Sequence, residues 1–272
     1  MKNLYNKLKS TNNFFLIAGP CVLEDIDKML LIASTLKKLT EERNIPFVFK
    51  ASFLKANRTS ITSEIGPGLK AGLDILRCIK NECEVPIITD VHECIEIDAV
   101  SEVVDIIQIP AFLSRQTNLL LTAARTGKIV NIKKGQFLSP DDMCHQIEKI
   151  TSVNNHQILQ TERGSTFGYH NLVVDFRGFA IMRSNGYPVI YDVTHSLQRP
   201  SLGKVSGGNP EYVPMMCRAA LATGCVDGLF IETHQNPSLA LSDAHCQYKL
   251  DLMPSLLDEC VNICNITKSV SP

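Results

Sequence analysis

Residues that could do chemistry recur at one kind of position in this chain, directly after a short apolar run. Cys21 follows the run 14–18 and the turn Gly19-Pro20, and Lys50 follows Phe47-Val48-Phe49. Six later runs end in the same way, in Asp90, Gln108, Lys133, Glu162 with Arg163, Asp192 with His195, and Glu232. Apolar runs of this length are typical of buried strands. The pattern predicts eight strands, each with a functional group at its carboxyl end.

Many of these groups are cations, which would repel one another at a common site unless an anion binds there. The cations at or just after the predicted strand ends are Lys50, Lys55, Arg58, Lys133, Lys134 and Arg163. Most lysines and arginines are solvated surface charges, but Lys50 and Lys133 end apolar strands and should be partly buried. Lysine and arginine both bind phosphate oxygens. The cluster therefore favours phosphorylated small molecules as ligands.

A strand-end lysine has a second use, as the nucleophile of a Schiff-base aldolase. That chemistry requires a neutral amine, and neighbouring cations would lower the pKa of such a lysine. The sequence leaves this alternative open.

A third set of residues has the types found in divalent-metal sites. Cys21, His195 and Glu232 end the first, seventh and eighth predicted strands, and Asp243 lies in the loop 233–245. One thiolate, one imidazole and two carboxylates would suit zinc, iron or manganese. Each residue also has an ordinary structural interpretation, as a small buried thiol, a hydrogen-bonded histidine or a helix cap. The spacing alone does not decide between the two.

Amphipathic segments lie between the predicted strands, for example 26–42 and 69–78. Further helices are predicted at 94–103, 114–125, 171–182, 210–223 and 246–264, and one after Ser139-Pro140-Asp141-Asp142. Alternating strands and helices imply parallel strands joined by crossovers. Eight such units predict a single (β/α)8 TIM barrel over residues 1–272, with residues 1–12 as an N-terminal cap. A doubly wound open sheet is the rival, but the chain lacks the glycine-rich phosphate loops typical of that fold.

A closed barrel would make the first, seventh and eighth strands neighbours and would gather all eight carboxyl ends at one mouth, where barrel active sites form. The barrel thus predicts one site that contains both the cations and the candidate metal ligands.

Composition narrows the choice of partners. The formal net charge of −1 offers no overall field for nucleic acid or a membrane surface. No apolar run approaches the length of a membrane span, and residues 1–13 lack the apolar core of a signal peptide. Ten cysteines without a C-x-x-C pair favour a reducing compartment. We therefore expect a cytoplasmic protein that binds small molecules.

Several motifs resemble those of the 3-deoxy-D-manno-octulosonate 8-phosphate synthases, over nearly the whole chain from about Phe14 to the last helix. They are Ala18-Gly19-Pro20-Cys21, Phe49-Lys50-Ala51-Ser52-Phe53-x-Lys55-Ala56-Asn57-Arg58, Ile88-Thr89-Asp90-Val91-His92-Glu93, Gln108-Ile109-Pro110-Ala111-Phe112-Leu113-x-Arg115-Gln116-Thr117, Asn131-Ile132-Lys133-Lys134-x-Gln136-Phe137, Phe167-Gly168-Tyr169-x-Asn171-Leu172-Val173-Val174-Asp175 and Asp192-Val193-Thr194-His195-Ser196-Leu197-Gln198. Each motif is modest alone, and together they are highly specific.

The resemblance implies a (β/α)8 barrel, a homotetramer and a reaction. The family joins phosphoenolpyruvate to arabinose 5-phosphate and releases phosphate, making a sugar acid of bacterial lipopolysaccharide. Related synthases that use erythrose 4-phosphate carry Lys-Pro-Arg-Thr where this chain has Lys55-Ala56-Asn57-Arg58. A synthase that uses erythrose 4-phosphate or an N-acetylhexosamine is the nearest alternative. A non-catalytic phosphosugar-binding barrel is the non-enzyme alternative, which the intact ligand sets disfavour.

The resemblance also implies roles for individual residues. Lys133 and Arg163 would hold the phosphate of phosphoenolpyruvate, and its carboxylate would lie among Lys50, Lys55 and Gln108. The pentose phosphate would be bound by Asn57, Arg58 and Thr59, helped by Arg115 from a neighbouring subunit, with Phe112 nearby. Family members usually have serine where this chain has Thr59, and the hydroxyl is kept.

A metal site follows from the resemblance as well. Metal-dependent members of the family carry cysteine at the first strand end, and metal-free members carry asparagine there. Cys21 places this chain with the metal-dependent group, with Cys21, His195, Glu232 and Asp243 as ligands of a divalent ion such as zinc, iron, manganese or cobalt. The candidate catalytic residues are Lys55, His195, Cys21 and Asp243. Either the ion or Lys55 would stabilise the alkoxide that develops at the sugar aldehyde.

Overall fold

A computed structural model describes residues 2–57, 63–199 and 207–270. The strands, numbered in chain order, are β1 (Phe15–Gly19), β2 (Phe47–Lys50), β3 (Ile87–Asp90), β4 (Ile106–Ile109), β5 (Ile129–Lys133), β6 (Ile158–Glu162), β7 (Ser165–Gly168), β8 (Asn171–Val173), β9 (Val189–Asp192), β10 (Gln198–Arg199), β11 (Gly207–Gly208), β12 (Gly228–His234) and β13 (Tyr248–Lys249). Strands β1–β6, β9 and β12 pair in parallel in that order. Strand β12 also pairs in parallel with β1, with Gly228 opposite Phe15, and this pairing closes the barrel. The predicted (β/α)8 barrel is confirmed.

The helices fill the crossovers between the barrel strands. They are α1 (Lys2–Lys9), α2 (Ile26–Glu41), α3 (Leu69–Cys83), α4 (Ile97–Val103), α5 (Thr117–Arg125), α6 (Met143–Thr151), α7 (Arg177–Arg183), α8 (Val193–Ser196), α9 (Val213–Ala222) and α10 (Met253–Val270). Helix α2 shows how the sequence specifies them. The side chain of Asp25 accepts hydrogen bonds from the backbone N–H groups of Asp27 and Lys28, which caps the first turn, and one apolar face is buried.

The apolar core has two layers. The outer layer lies between the strands and the helices. The inner layer fills the barrel with alternate strand residues such as Phe15, Ile17 and Phe230, and it also contains Tyr5 and Leu8 of α1. Tyr5 donates a hydrogen bond from its hydroxyl to the carbonyl oxygen of Ile158, at the start of β6 (3.3 Å). Helix α1 therefore closes the end of the barrel opposite the carboxyl ends of the strands.

The prediction of a helix at 171–182 is wrong for the first half of that segment. This segment begins as the second strand of an antiparallel hairpin, β7–β8, and α7 starts only at Arg177. The turn of the hairpin places Tyr169 and His170 at φ of 51° and 61°, a region that few non-glycine residues occupy. Propensity and periodicity do not reveal such a turn.

The helix predicted at 246–264 also starts late, because Tyr248 and Lys249 first form β13 beside β12. None of the described helices combines the length and the apolar character that a bilayer crossing requires.

Candidate active site

A pocket opens at the carboxyl ends of the barrel strands. Most of the side chains predicted to bind substrate line it, namely Lys50, Lys55, Asn57, Gln108, Lys133 and Arg163, and so does the predicted metal ligand His195. Phe112 lies at its rim with 57% of its surface exposed. Because parallel strands present their carboxyl ends to one mouth, residues from distant parts of the chain meet here.

Two lysines share one buried carboxylate on the β1–β12 side of the pocket. The Lys50 ammonium donates hydrogen bonds to Glu232 Oε1 (2.8 Å) and to the carbonyl oxygen of Cys21 (3.1 Å). Lys55 Nζ lies 3.7 Å from the same Glu232 oxygen. Burial would raise the pKa of Glu232, but Lys50, His195 and Lys55 outweigh it and hold that pKa well below its usual range. Glu232 is therefore ionised, and the positive charge around it exceeds its own.

Lys55 itself remains charged. Burial lowers its pKa, but the acidic groups around it, led by Cys21 and Glu232, outweigh burial and raise the pKa well above its usual value. A protonated amine can donate a hydrogen bond to an oxygen that gains negative charge, but it is not a nucleophile.

Lys133, Asp192 and His195 form a second group of contacts, on strands β5 and β9 and in α8. Lys133 donates a hydrogen bond to Asp192 Oδ2 (2.5 Å), and its Nζ lies 3.8 Å from the centroid of the Phe230 ring. His195 Nδ1 lies 2.8 Å from the same Asp192 oxygen, and the His195 backbone N–H donates to Asp192 Oδ1 (3.0 Å). Burial would raise the pKa of Asp192, but His195 and Lys133 hold it well below its usual range. Asp192 thus fixes the orientation of both side chains.

Arg163 and Gln136 have polar atoms that the described residues leave without hydrogen bonds. Arg163 is buried and donates from Nη2 to Gln198 Oε1 (3.1 Å), while its Nη1 has no partner among the described residues. Gln136 Oε1 is likewise buried without a hydrogen-bond partner among the described residues. An unsatisfied buried polar group costs about 1–3 kcal/mol. A bound anion would remove that cost at Arg163.

Cys21, Glu232 and Asp243 come together beside the pocket, with one ligand atom from each lying within 4.8 Å of the others. The Cys21 thiol donates a hydrogen bond to Asp243 Oδ2 (3.2 Å). Burial, and then the Asp243 and Glu232 carboxylates, hold the pKa of Cys21 well above its usual range. Glu232 Oε2 is buried without a hydrogen-bond partner among the described residues. A thiol and two carboxylates, one of which has an unsatisfied buried oxygen, fit a divalent ion of borderline softness.

His195, the fourth predicted ligand, lies at the edge of this cluster. Its Nε2 is 3.6 Å from Glu232 Oε1, while its Nδ1 is bound to Asp192. A carboxylate on one nitrogen of a histidine is the arrangement that orients the other nitrogen toward a metal.

The pairing of Asp90 with His92 is a feature of the pocket that sequence reasoning missed. His92 Nε2 lies 3.1 Å from Asp90 Oδ2, and Asp90 Oδ1 accepts a hydrogen bond from the Ser52 hydroxyl (2.5 Å). Burial lowers the pKa of His92, but Asp90 outweighs it and raises that pKa. Asp90 was recognisable as a strand end and His92 as a titratable residue two positions later. Their contact depends on how the chain turns after β3.

Lys134 and Arg58 were also predicted near the mouth, and Arg115 was predicted to reach it from a neighbouring subunit. Lys134 is fully buried and donates to Ser165 Oγ (2.9 Å) and to the carbonyl oxygen of Leu138 (3.1 Å), so it anchors the β7 hairpin rather than lining the pocket. Arg115 is exposed and does not line the pocket. Arg58, together with Thr59, lies outside the described residues.

The fold and the pocket define a class. The protein is a closed (β/α)8 barrel, and lysines and an arginine converge at the carboxyl ends of its strands. These features define the class of barrel enzymes that bind small anionic substrates.

Comparison with known proteins identifies the family. The sequence profile of the DAHP synthetase I family matches residues 8–266. A curated protein of Desulfatibacillum aliphaticivorans, named 2-dehydro-3-deoxyphosphooctonate aldolase, is 52% identical over 249 residues, which cover 91% of each chain. Proteins of the same name from Geobacter sp. (strain M21) and Xylella fastidiosa (strain 9a5c) are 51% identical, and the latter match covers 93% of this chain and 92% of that protein. The chain belongs to the DAHP synthetase I family, among relatives named 2-dehydro-3-deoxyphosphooctonate aldolase.

Proposed function

We propose that this protein condenses phosphoenolpyruvate with D-arabinose 5-phosphate and water, giving 3-deoxy-D-manno-octulosonate 8-phosphate and inorganic phosphate. The sugar acid phosphate is the one in the name of the curated relatives. The observation that carries the proposal is the pocket itself, in which Lys50, Lys55, Lys133 and Arg163 converge from the ends of β2, β5 and β6. Two phosphorylated anions repel each other in water, and such a pocket would hold them side by side.

We assign the two groups of cations in the pocket to the two ends of phosphoenolpyruvate. We assign its phosphate to Lys133 and Arg163, because Arg163 keeps a buried N–H without a partner among the described residues. We assign its carboxylate to Lys50, Lys55 and Gln108. Gln108 Oε1 accepts a hydrogen bond from Asn131 (3.2 Å), which fixes the orientation of the Gln108 amide.

The sugar would enter from the open side of the pocket. Asn57 lies there, and Arg58 and Thr59 follow it in the sequence. We assign the phosphate of the pentose to these three residues and to Arg115 of a neighbouring subunit in a homotetramer. Exposure of Arg115 is compatible with a role across a subunit interface.

The reaction then follows from the positions of charge. The enol carbon of phosphoenolpyruvate attacks the aldehyde carbon of the sugar, and Lys55, which remains protonated, donates to the oxygen that becomes an alkoxide. Water adds to the carbon that bears the phosphate, and the resulting hemiketal phosphate breaks its carbon–oxygen bond. Lys133 and Arg163 stabilise the departing phosphate.

We propose that Cys21, His195, Glu232 and Asp243 hold a divalent ion, with zinc, iron, manganese and cobalt as candidates. A bound ion would supply positive charge for substrate oxygens beside Glu232. Metal binding requires deprotonation of the Cys21 thiol, and burial and the nearby carboxylates oppose that deprotonation in the metal-free protein.

The product identifies the wider role as synthesis of a lipopolysaccharide precursor. We place this reaction in the cytoplasm, since all ten cysteines are free and free thiols persist in reducing compartments.

The structure disfavours a Schiff-base aldolase. Lys55 is held in its charged form. Burial lowers the pKa of Lys133, but its ammonium donates a hydrogen bond to Asp192, which a neutral amine would weaken. A lysine nucleophile must be neutral and must not be held in an ion pair.

The substrate assignment is tested by initial rates of phosphate release from phosphoenolpyruvate with a panel of aldoses, with and without a chelator. We expect arabinose 5-phosphate to be preferred over erythrose 4-phosphate and N-acetylmannosamine, and chelation to abolish the rate until a divalent ion is added. Preference for another aldose would overturn the substrate assignment. A rate that is insensitive to chelator, in protein that elemental analysis finds free of metal, would overturn the metal site.

A further inference from the structure

Glu24 is a buried carboxylate that lies outside the pocket and takes no part in the proposed reaction. Its side chain is 3% exposed. Its Oε1 accepts a hydrogen bond from the backbone N–H of Leu241 (3.0 Å), and its Oε2 lies 3.5 Å from both His234 Nε2 and Lys28 Nζ. A buried carboxylate persists only where partners compensate for its lost hydration. These partners join the segment after β1 to the segment after β12.

The segment that Glu24 holds carries Asp243. Leu241 stands two positions before Asp243, whose φ of 48° lies in the left-handed region. Few non-glycine residues occupy that region, so surrounding contacts must maintain it. The direction of the Asp243 carboxylate therefore depends on where the preceding backbone is held.

A second contact fixes the same segment from the other side. Gln247 donates from Nε2 to the carbonyl oxygen of Ser242 (2.9 Å) and accepts at Oε1 from the backbone N–H of Cys21 (3.3 Å). Cys21 and Asp243 are 222 residues apart in sequence. Their side chains meet only because such contacts hold the two segments together.

We propose that Glu24 is a positioning residue for the metal site. By holding the Leu241 N–H, it fixes Asp243 beside Cys21, and so it sets the affinity for the ion without contacting it. This inference rests on the proposed metal site. Its essential feature is the reach of the side chain to Leu241, rather than its negative charge.

Three substitutions separate reach from charge. Glu24→Ala removes both, Glu24→Asp keeps the charge but is one methylene shorter, and Glu24→Gln keeps the length and an acceptor oxygen without the charge. Lys28→Ala is the matched control, because it removes a partner of Glu24 that is 51% exposed and leaves the contact with Leu241 intact.

Two measurements are made on each purified protein, neither of which depends on activity. Hydrogen exchange of the Leu241 amide is followed in the metal-free protein, and the dissociation constant for Zn²⁺ is measured by competition with a chromophoric chelator. We expect Glu24→Ala and Glu24→Asp to exchange the Leu241 amide at least about fivefold faster and to bind Zn²⁺ at least about fivefold more weakly, as loss of one ordinary hydrogen bond implies. Glu24→Gln and Lys28→Ala should stay within about twofold of the wild type.

Several results would overturn the inference. One is an unchanged Zn²⁺ affinity in Glu24→Asp, whether or not the amide exchanges faster. Another is a weakened Zn²⁺ affinity in Glu24→Gln together with a normal affinity in Glu24→Asp, which would assign the effect to the charge of Glu24. If Glu24→Ala does not fold, the comparison of the Asp and Gln variants decides alone. A wild-type protein that binds no Zn²⁺ would instead refute the metal site of the proposed function, so the two failures are distinguishable.

Discussion

At the scale of single residues, the buried cations of the pocket are paired with carboxylates, but the positive charges outnumber the negative charges that they contact. Lys50 and Lys55 face Glu232, Lys133 faces Asp192, and Arg163 keeps a buried N–H that no described residue accepts. Buried ion pairs contribute little net stability, because desolvation offsets their attraction. Their arrangement is better explained by the anions that the pocket would bind.

The pair of His92 and Asp90 predicts a dependence of stability on pH. Asp90 raises the pKa of His92 above the 6.5 that is usual for histidine, against the effect of burial. Below that value both folded and unfolded chains carry the charge, so the stabilisation is complete. As pH rises, the unfolded chain releases its proton first, and the stabilisation is lost by the time pH passes the raised pKa.

The measurement is the urea midpoint of the wild type and of His92→Gln from about pH 5 to about pH 9. The difference between the two should decrease across this range as pH rises. Parallel curves would show that His92 does not gain its proton affinity from Asp90. An exposed histidine variant, His145→Gln, serves as the control and should show no such change.

Cys21→Asn tests whether the ion orients groups or is essential for bond making. The asparagine amide can donate hydrogen bonds to the Asp243 and Glu232 carboxylates, both of which the Cys21 thiol cannot hold without an ion. We therefore expect the variant to lose stoichiometric metal yet keep measurable phosphate release that no chelator removes. The measurements are elemental analysis and the phosphate assay. A variant that binds phosphoenolpyruvate normally but is inactive would show that the ion is the required Lewis acid.

At the scale of elements, the strands were more predictable than the segments between them. Each predicted strand is found within one to three residues of its position, because a run such as Ile129–Lys133 is apolar throughout and buried on both faces. The hairpin β7–β8 was missed because its turn depends on positive φ at Tyr169 and His170, residues that rarely adopt it.

For the site as well, residues at strand ends were predictable from the sequence, and the contacts between distant segments were not. Strand ends gave the positions of Cys21, Lys50, Lys133 and Glu232, since barrel topology places them at one mouth. The contact of Lys50 with Glu232 spans 182 residues and depends on closure of the barrel by β1 and β12. Pairings of this kind, and the hold of Glu24 on Leu241, are set by tertiary packing that local patterns do not encode.

Helix α1 yields a prediction about the closed end of the barrel. Leu8 is fully buried in the inner core layer, so Leu8→Ala should lower the free energy of unfolding by about 2–5 kcal/mol. Urea denaturation measures this, with the exposed Lys7→Ala as the control. Because the pocket is at the other end of the barrel, Michaelis constants should stay unchanged. A loss below about 1 kcal/mol would contradict the packing of α1 in the core.

At the scale of the whole molecule, we propose that a neighbouring subunit completes the sugar site. The short helical turn Ala111–Leu113 lines the pocket, and Arg115 lies just beyond it, exposed. If Arg115 serves the sugar phosphate of a neighbouring subunit, one chain alone does not complete the site.

Mixing of inactive variants tests this dependence. Arg115→Ala subunits retain their own Lys133, and Lys133→Ala subunits can lend them Arg115. Exchange of subunits between the two variants should therefore restore part of the wild-type rate of phosphate release. A mixture of Lys50→Ala and Lys133→Ala is the control, because both residues act within their own barrel and should not complement. No recovery in proven mixed oligomers would place Arg115 in its own chain's site, or in none.

The central claim is that this pocket joins phosphoenolpyruvate to arabinose 5-phosphate with cleavage of the carbon–oxygen bond. It is tested most directly with phosphoenolpyruvate carrying ¹⁸O in the bridging position, by mass spectrometry of both products after turnover with arabinose 5-phosphate. We predict that the label appears in inorganic phosphate and that 3-deoxy-D-manno-octulosonate 8-phosphate takes its new oxygen from water. Label retained in the sugar acid, or no eight-carbon product at all, would contradict the account.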